Sequence, residues 1–394
     1  MADIPKIRFK GFTEPWEQRK LGEVFKEYSE KNHTELPALT IIRGGGTVKR
    51  EESDRNLMYD ESNLSNYKMV RKDDFIVHLR SFEGGLEKSL LDGIISPAYH
   101  TFHSDVADSR FYYPYFRSHE FIKHKLVPHV YGIRDGRSID IAGMKTIEIP
   151  YTSIEEQRKI GDYLESLDHL ITLHQRKCDD TKKLKKYMLQ KMFPKNGEKF
   201  PKIRFKGFTE AWEQRKLGEV LKERTERAKG DEELLSVTIA NGVIRQIDSE
   251  KRNTASEDRS NYKIVKKGDV PYNSMRMWQG AVGNSKYNGI VSPAYTILTP
   301  TSEANGKFFM ELFKKKSTLQ IFQRWSQGLT SDTWNLKYPI LSSIQFAIPS
   351  VEEQEKIAEY FSSLDHLITL HQRKCDTLKE LKKYMLQNMF PKKG

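Results

Sequence analysis

Arginine, asparagine, glutamine and serine side chains, with aromatic neighbours, are concentrated in three short contact segments in each half of the chain. Segments 43–50, 80–85 and 131–138 carry Arg43, Lys49, Arg50, Arg80, Ser81, Tyr131, Arg134, Arg137 and Ser138. Segments 241–245, 273–279 and 324–330 carry Asn241, Arg245, Asn273, Ser274, Arg276, Trp278, Gln279, Arg324, Trp325, Gln327 and Thr330. Arginine makes bidentate contacts to guanine, and asparagine or glutamine to adenine, whereas lysine and serine more often hold phosphate. Each residue alone is typical of a solvated surface, but the groups predict contacts with DNA.

The sequence lacks the residue patterns of several common active sites. Ser96–Tyr99 and Ser292–Tyr295, both SPAY, are similar to the Asn/Asp-Pro-Pro-Tyr/Phe tetrapeptide of amino-methyltransferases, but the Asn or Asp that would bind the target amino group is missing. A turn at a strand end is the preferred interpretation. Segment 43–46 has no Lys-Ser/Thr of a phosphate-binding loop, and the two cysteines give no zinc pattern. We predict a non-catalytic chain with no metal site or cofactor of its own.

The composition indicates an acidic partner. A length of 394 residues predicts at least two domains, since single cores stop growing near ~250–300 residues. The net charge is +12 and the pI is about 9.3. Nucleic acid is favoured over a membrane because no long apolar run is present, although a merely basic protein stays an alternative. Two unpaired cysteines and a start without an apolar stretch favour a reducing, cytoplasmic location.

A long internal repeat organises the chain. Residues 5–24 recur almost unchanged as residues 201–220, so a unit of about 196 residues occurs twice. Between the shared parts lie variable stretches, 25–150 and 221–349, which remain distant copies of each other and predict short strands with a helix or two. We therefore predict an α+β fold with a first domain at 1–150, a helical segment at 151–197, a second domain at 198–349 and a second helical segment at 350–394.

One long helix is predicted in each helical segment, over 154–193 and 351–390, and each ends at a proline. Apolar residues at alternating steps of four and three form a heptad seam. Its first copy is Ile160, Leu164, Leu167, Ile171, His174 and Cys178, continuing through Thr181, Lys185, Met188 and Met192. Its second copy is Ile357, Phe361, Leu364, Ile368, His371 and Cys375, continuing through Leu378, Lys382, Met385 and Met389. His174 and His371 lie near the midpoints, where ordinary seam residues are the preferred interpretation.

The charge distribution predicts how the two helices pair. Residues 155–168 carry five acids and two bases, whereas residues 176–191 carry seven bases and two acids. Antiparallel pairing places acid beside base, whereas parallel pairing places like charges together. The domains would then lie at opposite ends of a helix pair, about 50 Å apart at ~1.5 Å per residue. Two related domains at a fixed separation match two half-sites on duplex DNA.

The repeated WEQRKLGEV, the helix starts EEQRKI and EEQEKI, and the GIVSPAY strand resemble the specificity subunits of type I restriction-modification systems. The resemblance covers the whole chain. It implies that each variable domain recognises one half of a bipartite, asymmetric DNA site and that the helix pair sets the spacer length. It also implies two adenine-methyltransferase subunits and two translocase-nuclease restriction subunits as partners, which would hold the S-adenosylmethionine, ATP and Mg. The family offers no universal base-contacting motif, so the contact residues above rest on their chemistry alone.

Three further expectations concern partners and alternatives. The outer helix residues Tyr163, Leu170, Leu173, Tyr187 and Leu189, with their second-half counterparts, are candidates for binding the methyltransferase. A scaffold protein that uses the coiled coil to bridge other proteins would show no sequence preference in DNA binding. A self-sufficient DNA-modifying enzyme would transfer methyl groups alone, and the missing methyl-donor motifs disfavour it.

Overall fold

The computed structural model describes residues 4–53, 61–132, 137–195, 197–228, 232–249 and 258–390. The chain forms two compact units. Unit 1 contains residues up to Gln175 together with those from Arg373 onward, and unit 2 contains Arg176–Gln372. The unit boundaries fall inside the two long helices, because each helix contributes one part to each unit. Strands and helices are mixed in both units, which confirms the predicted α+β class.

Unit 1 is built from short strands and short helices around the start of the first long helix. The strands are β1 (Glu17–Lys20), β2 (Lys26–Tyr28), β3 (Leu39–Ile42), β4 (Gly46–Lys49), β5 (Lys68–Val70), β6 (Phe75–Val77), β7 (Glu87–Lys88), β8 (Gly93–Ile95), β9 (His100–His103), β10 (Val130–Tyr131), β11 (Ser138–Ile139) and β12 (Glu148–Tyr151). The helices are α1 (Leu21–Val24), α2 (Ser81–Gly84), α3 (Ser109–Phe116), α4 (Ile141–Lys145) and α5 (Ile154–Lys191), with shorter 3-10 or π turns at Arg50–Glu52, Glu61–Asn66, Phe121–Leu126 and Val127–His129.

Unit 2 repeats this order in its own variable region. Its strands are β13 (Glu213–Lys216), β14 (Leu221–Glu223), β15 (Leu235–Thr238), β16 (Gly242–Arg245), β17 (Lys263–Val265), β18 (Val270–Asn273), β19 (Gly289–Val291), β20 (Tyr295–Pro300) and β21 (Gln345–Ile348). Its helices are α6 (Leu217–Val220), α7 (Gly306–Lys314), α8 (Lys316–Trp325), α9 (Tyr338–Ser343) and α10 (Val351–Asn388), with 3-10 turns at Gln246–Asp248 and Met277–Gln279.

The sheets explain why the ends of each repeat are shared. In unit 1 the repeated β1 pairs antiparallel with β12, the strand that enters the long helix, and in unit 2 β13 pairs with β21 in the same way. The variable region of unit 1 holds a sheet of order β2-β9-β6-β7, and that of unit 2 holds one of order β14-β20-β18. The hairpins β3-β4 and β15-β16 and the pairs β5-β8 and β17-β19 complete the correspondence.

Aromatic side chains fill both cores, and each core takes one from the end of a long helix. In unit 1 Phe390, just after α10, lies 5.0 Å from the ring of Phe111 and 6.1 Å from that of Trp16. In unit 2 Phe193, just after α5, lies 5.4 Å from the ring of Phe308 and 6.1 Å from that of Trp212. These edge-to-face and tilted contacts add to the large apolar area that each ring buries. The phenylalanine of the Met-Phe pair that follows each helix therefore anchors its end.

The long helices run antiparallel within each unit, as the charges predict. In unit 2 the Cys178 thiol lies 3.7 Å from the carbonyl oxygen of Ile368, and Lys185, two turns further along α5, bonds to Asp365, which comes earlier in α10. In unit 1 the Cys375 thiol approaches the carbonyl oxygen of Ile171, and Lys382 bonds to Asp168 in the same opposed order.

The burial of the helices follows the heptad seam. The seam residues that are buried are Ile160, Leu164, Leu167, Cys178, Met192, Ile357, Phe361, Leu364, Cys375 and Met389. Those that are half-buried include Ile171, His174, Ile368 and His371. The helices end at Lys191 and Asn388, slightly before the prolines that were expected to stop them.

Candidate nucleic-acid interface

The first two contact segments of unit 1 are brought together by a turn and a short helix. The turn between β3 and β4 carries Arg43, and Gly44 and Gly46 take positive φ values of 77° and 71° there, a conformation that favours glycine. The Arg43 guanidinium donates from Nη2 to the backbone carbonyl of Glu83 in α2, at 3.1 Å. A Cβ atom at position 84 would lie 3.1 Å from Arg43 Nε, so the glycine there allows the Arg43 side chain to lie against α2.

The third contact segment of unit 1 reaches the same point. Arg137 Nη2 lies 3.9 Å from Glu83 Oε1, while Arg43 Nη1 lies 3.9 Å from Glu83 Oε2. The Arg137 guanidinium also stacks over the ring of Phe82, 4.5 Å from its centroid. A shallow cleft of about 300 Å³ lies between these residues and Lys123. Segments up to 94 residues apart therefore form one surface, centred on Glu83.

A buried carboxylate fixes the turn that carries Arg43. Glu87 is fully buried and accepts hydrogen bonds from the amides of Gly44 and Gly46, at 2.8 and 3.3 Å. It also accepts from the Tyr113 hydroxyl at 2.7 Å and from the Arg117 guanidinium. Burial, reinforced by the bond to Glu87, raises the pKa of Tyr113 above its ordinary value. Charge-assisted bonds of this kind hold a loop more firmly than neutral ones.

Unit 2 holds its corresponding turn by direct packing of glycines. A Cβ atom on Gly283 would lie 2.6 Å from the amide nitrogen of Val243 and 2.9 Å from Gly242 Cα, so only glycine permits this close approach. The neighbouring Val282 forms a bridge with Tyr272, from which the chain enters the second contact segment. The turn that carries the first contact segment is thus held by the Glu87 carboxylate in unit 1 and by a close glycine contact in unit 2.

In unit 2 the second contact segment meets the residues that directly follow the third. The Leu336 amide donates to the carbonyl of Ser274 at 2.9 Å, and the Tyr272 hydroxyl donates to the carbonyl of Leu336 at 3.0 Å. The rings of Trp278 and Trp334 pack edge to face, with centroids 5.2 Å apart. Unit 1 therefore collects its three contact segments on one surface, and unit 2 places its second contact segment against the loop that carries the third, with different side chains.

The third contact segment of unit 2 is a closed, projecting loop. Gln327 and Asn335 exchange two backbone hydrogen bonds, of 3.0 and 2.8 Å, and the Thr330 amide donates to the Thr333 hydroxyl at 3.1 Å. Leu329, between these bonded ends, is fully exposed. Such a loop presents an apolar side chain from a braced backbone.

The predicted contact residues fall into groups by exposure. Those that are exposed are Arg43, Arg80, Tyr131, Arg137, Asn241, Arg245, Arg276, Arg324, Trp325, Gln327 and Thr330. Those that are half-buried are Lys49, Arg50, Ser138, Asn273, Trp278 and Gln279. Arg134 lies outside the described residues. Three of the exposed arginines are already engaged, because Arg245 pairs with Glu233 at 3.3 Å and both Arg43 and Arg137 approach Glu83.

The prediction that two of the serines contact DNA is corrected by their burial. Ser81 and Ser274 are buried, so neither hydroxyl is presented to a phosphate. Ser81 Oγ accepts from the His78 amide at 2.9 Å, and Ser274 Oγ is 3.0 Å from Thr296 Oγ1. Both hydroxyls brace the backbone of the second contact segment.

The acids at this surface were missed from the sequence. The predicted base contacts are hydrogen-bond donors and amides, whereas Glu83 and Glu87 are acceptors in a stretch without a known contact motif. The alternation of glycine and glutamate in EGGLE, beside an arginine, is the one local signal that could have indicated them. Their roles depend on partners about 40 residues distant.

The remaining candidate motifs are structural. In both SPAY segments the serine hydroxyl accepts from the alanine amide, and the tyrosine amide donates to the serine carbonyl, which closes a turn between two strands of different sheets. Among the residues that the structure describes, no group of three or more His, Cys, Asp or Glu side chains has the arrangement of a metal site. None of the described helices combines the length and apolar character needed to cross a membrane.

The chain is similar to known proteins along most of its length. The family model described as "Type I restriction modification DNA specificity domain" matches residues 13–183 and again residues 209–380. The specificity subunit of the type I restriction enzyme MjaVIII from Methanocaldococcus jannaschii is 24% identical over 271 residues, which are 63% of this chain and 62% of that protein. The HindI specificity subunit from Haemophilus influenzae is 25% identical over 132 residues, 32% of this chain and 29% of that protein.

The chain thus spans less than two thirds of the length of these curated relatives. The crystal structure of a type I restriction-modification system S subunit from M. genitalium has a TM-score of 0.60 at 15% identity, covering 99% of this chain and all of that one. This likeness shows a shared fold. With two matches of the family model covering most of its residues, the chain belongs to the family of type I restriction modification DNA specificity domains.

Proposed function

We propose that this chain is the DNA sequence-recognition subunit of a type I restriction-modification complex, in which each variable domain reads one half of a bipartite, asymmetric site. The observation that carries the proposal is the convergence of contact segments on one surface, all three segments in unit 1 and the second segment with the loop of the third in unit 2. Arg43, Glu83 and Arg137 meet in unit 1, and Ser274, Trp278 and Trp334 anchor the corresponding segments in unit 2. Surface loops on a braced scaffold are the usual place for recognition residues.

The two surfaces differ, which supports an asymmetric target. The turn of the second contact segment starts at Arg80 and carries Glu83 in unit 1, whereas in unit 2 it starts at Arg276 and carries Trp278 and Gln279. Arginine, glutamate and tryptophan offer different donors, acceptors and stacking faces to a base pair. The two half-sites would therefore differ in sequence.

The paired helices would set the spacer between the half-sites. Each helix continues over 38 residues without interruption and pairs antiparallel with the other inside both units. We propose that the chain itself performs no chemistry, that it directs adenine methylation and restriction by two methyltransferase and two restriction subunits, and that S-adenosylmethionine, ATP and Mg are held by those partners.

The surface for the methyltransferase is proposed on the exposed apolar residues of the helices. Among the predicted residues and their second-half counterparts, those 38–56% exposed are Leu170, Tyr187, Leu367, Leu370 and Tyr384. Tyr163 is a weaker candidate, because the ring of Phe9 covers it at 5.8 Å, and Phe205 covers Tyr360 at 6.0 Å. Leu189 packs against the unit 2 core.

The deciding experiment is to map methylated adenines in cells with the methyltransferase subunit, with and without this chain. The proposal expects methylation at one bipartite motif, only when both proteins are present. Motif-independent methylation, or methylation by this chain alone, would reject it. As a control for independent reading, the variable region 25–150 is replaced by that of a related protein, which should change one half of the motif only. One heptad inserted in each helix should lengthen the spacer and leave both halves unchanged.

A further inference from the structure

Glu83 is an acid at the centre of an otherwise basic contact surface, and it retains the capacity to accept hydrogen bonds. Its side chain is 34% exposed. Its two carboxylate oxygens each face one guanidinium, Arg137 at Oε1 and Arg43 at Oε2, both at 3.9 Å. That separation exceeds the roughly 2.7–3.2 Å of an N–H···O hydrogen bond. The arginines therefore balance the charge of Glu83 without occupying its oxygens.

Both arginines are oriented by contacts other than the Glu83 carboxylate. Arg43 is held by its bond to the Glu83 carbonyl oxygen, and Arg137 by stacking on Phe82. The Glu87 clamp fixes the turn on which Arg43 lies. The surface thus presents an acceptor flanked by donors on both sides, in a fixed arrangement.

A carboxylate acceptor flanked by arginine donors is complementary to the donors and acceptors of one base pair in the major groove. Cytosine presents its 4-amino donor in the major groove, and its paired guanine presents the O6 and N7 acceptors beside it. Adenine also presents an amino group, but its N7 acceptor lies next to it and would repel a carboxylate. An acceptor flanked by guanidinium donors therefore fits a C·G pair better than an A·T pair.

We infer that Glu83 is a specificity-determining residue that accepts a hydrogen bond from the 4-amino group of a cytosine in the half-site read by unit 1, while Arg43 or Arg137 binds the paired guanine. The inference rests on the proposed function. It adds the identity of one base pair and the residue that selects it. The corresponding turn of unit 2, Met277–Gln279, contains no carboxylate, so this selection belongs to one half-site.

The test compares the wild-type chain with Glu83→Gln and Glu83→Ala, each with its methyltransferase subunit, on a randomised duplex library whose methylated members are sequenced. Wild type should require a C·G pair in the unit 1 half. Glu83→Gln should shift that position toward A·T by about tenfold or more, because an amide both donates and accepts as adenine requires. Glu83→Ala should weaken the preference for C·G, because only the arginine contact to guanine remains, and should gain no preference for A·T. Glu17→Gln, an exposed acid on β1, is the matched control and should change nothing.

A second arm avoids any effect of substitution on folding. The cytosine of the preferred site is replaced by a 2-pyrimidinone nucleotide, which lacks the 4-amino group and still faces guanine. Wild type should lose about tenfold in binding or more, whereas Glu83→Ala should lose nothing further. The inference would be overturned if both proteins lost binding equally or if Glu83→Gln kept the wild-type preference. It would also be overturned if the half-site read by unit 1 in wild type contained no C·G pair. A wild-type complex with no bipartite preference would instead reject the proposed function.

Discussion

Arg8 donates two hydrogen bonds to the buried carboxylate of Glu156, at 2.6 Å from Nε and 2.8 Å from Nη2. The Trp16 indole donates to the same carboxylate at 3.0 Å. In the second half Arg204 and Trp212 bind Glu353 in the same way, at 2.7 to 3.2 Å. The repeated segment at the start of each half therefore locks onto the first turn of a long helix.

Removing this carboxylate should destabilise its unit. Glu156→Ala leaves a guanidinium with 12% exposure and an indole N–H without their acceptor, and breaking such a pair costs about 3–5 kcal/mol. Glu353→Ala should cost a similar amount in unit 2. The measurement is urea unfolding of the full chain. Glu155→Ala, at an exposed neighbour, should stay within about 0.5 kcal/mol, and an equal loss in both variants would show that the network adds nothing.

The two thiols should be protected in the folded protein. Cys178 and Cys375 are both fully buried, and their sulfurs lie 3.5–3.9 Å from carbonyl and amide oxygens of the facing helix. Reaction with a thiol reagent requires access, so labelling should await opening of the helix pair. The measurement is labelling of native and urea-unfolded protein, with Cys178→Ser and Cys375→Ser to separate the two sites. Prompt labelling of either thiol in native protein would contradict the packing.

Glu311 should make the stability of unit 2 depend on pH. Burial raises its pKa above the ordinary 4.5, although Lys185 opposes the shift. Lys185 Nζ lies 3.0 Å from Glu311 Oε1 and 2.7 Å from Asp365 Oδ2, and Glu311 Oε2 has no hydrogen-bond donor among the described residues. The burial cost of the charged form therefore exceeds what one lysine offsets.

The direction of this pH dependence follows from proton binding in the folded state. A raised pKa in the folded state means that this carboxyl favours folding most below pH 4.5 and that the contribution is lost as the pH rises through the raised value. The free energy of unfolding of wild type, relative to Glu311→Gln, should therefore fall as the pH rises from about 4.5 through the raised pKa. Denaturant titrations across that range measure it. A difference that is flat or rises with pH would contradict the assignment. Pro114, which takes the equivalent place in α3, gives unit 1 no such group.

Leu329 should matter for DNA and not for folding. Because its side chain is fully exposed, Leu329→Ala should change the unfolding free energy by less than about 0.5 kcal/mol. If the third contact segment of unit 2 is covered by DNA, burying this leucine contributes roughly 1.5–3 kcal/mol, so affinity should fall about tenfold or more. Titration of the complex with its target DNA measures this. Leu312→Ala, in the core, is the opposite control and should cost about 2–5 kcal/mol of stability. Unchanged affinity would place Leu329 outside the interface.

Some local elements escaped sequence reasoning. Helix α3 was not predicted, because its SRFYYPYF contains a proline and a run of aromatic residues that a helix pattern does not favour. Its start is nevertheless specified, since the Asp108 carboxylate accepts from the Arg110 amide at 2.8 Å. Burial of Phe111, Tyr112 and Phe116 in the core then outweighs their weak helix propensity.

The sequence by itself determined the tandem repeat, the two long helices and their antiparallel pairing, because periodicity and charge polarity are local properties that any packing must satisfy. Only the tertiary structure decided which side chains share a surface. Arg43 meets Glu83 across 40 residues and Arg137 reaches it from the other side, and Ser81 turns inward from the same segment. Such placements depend on how strands and turns that are far apart in the sequence pack against each other, to within about an ångström. Local sequence patterns do not determine distances between side chains at that precision.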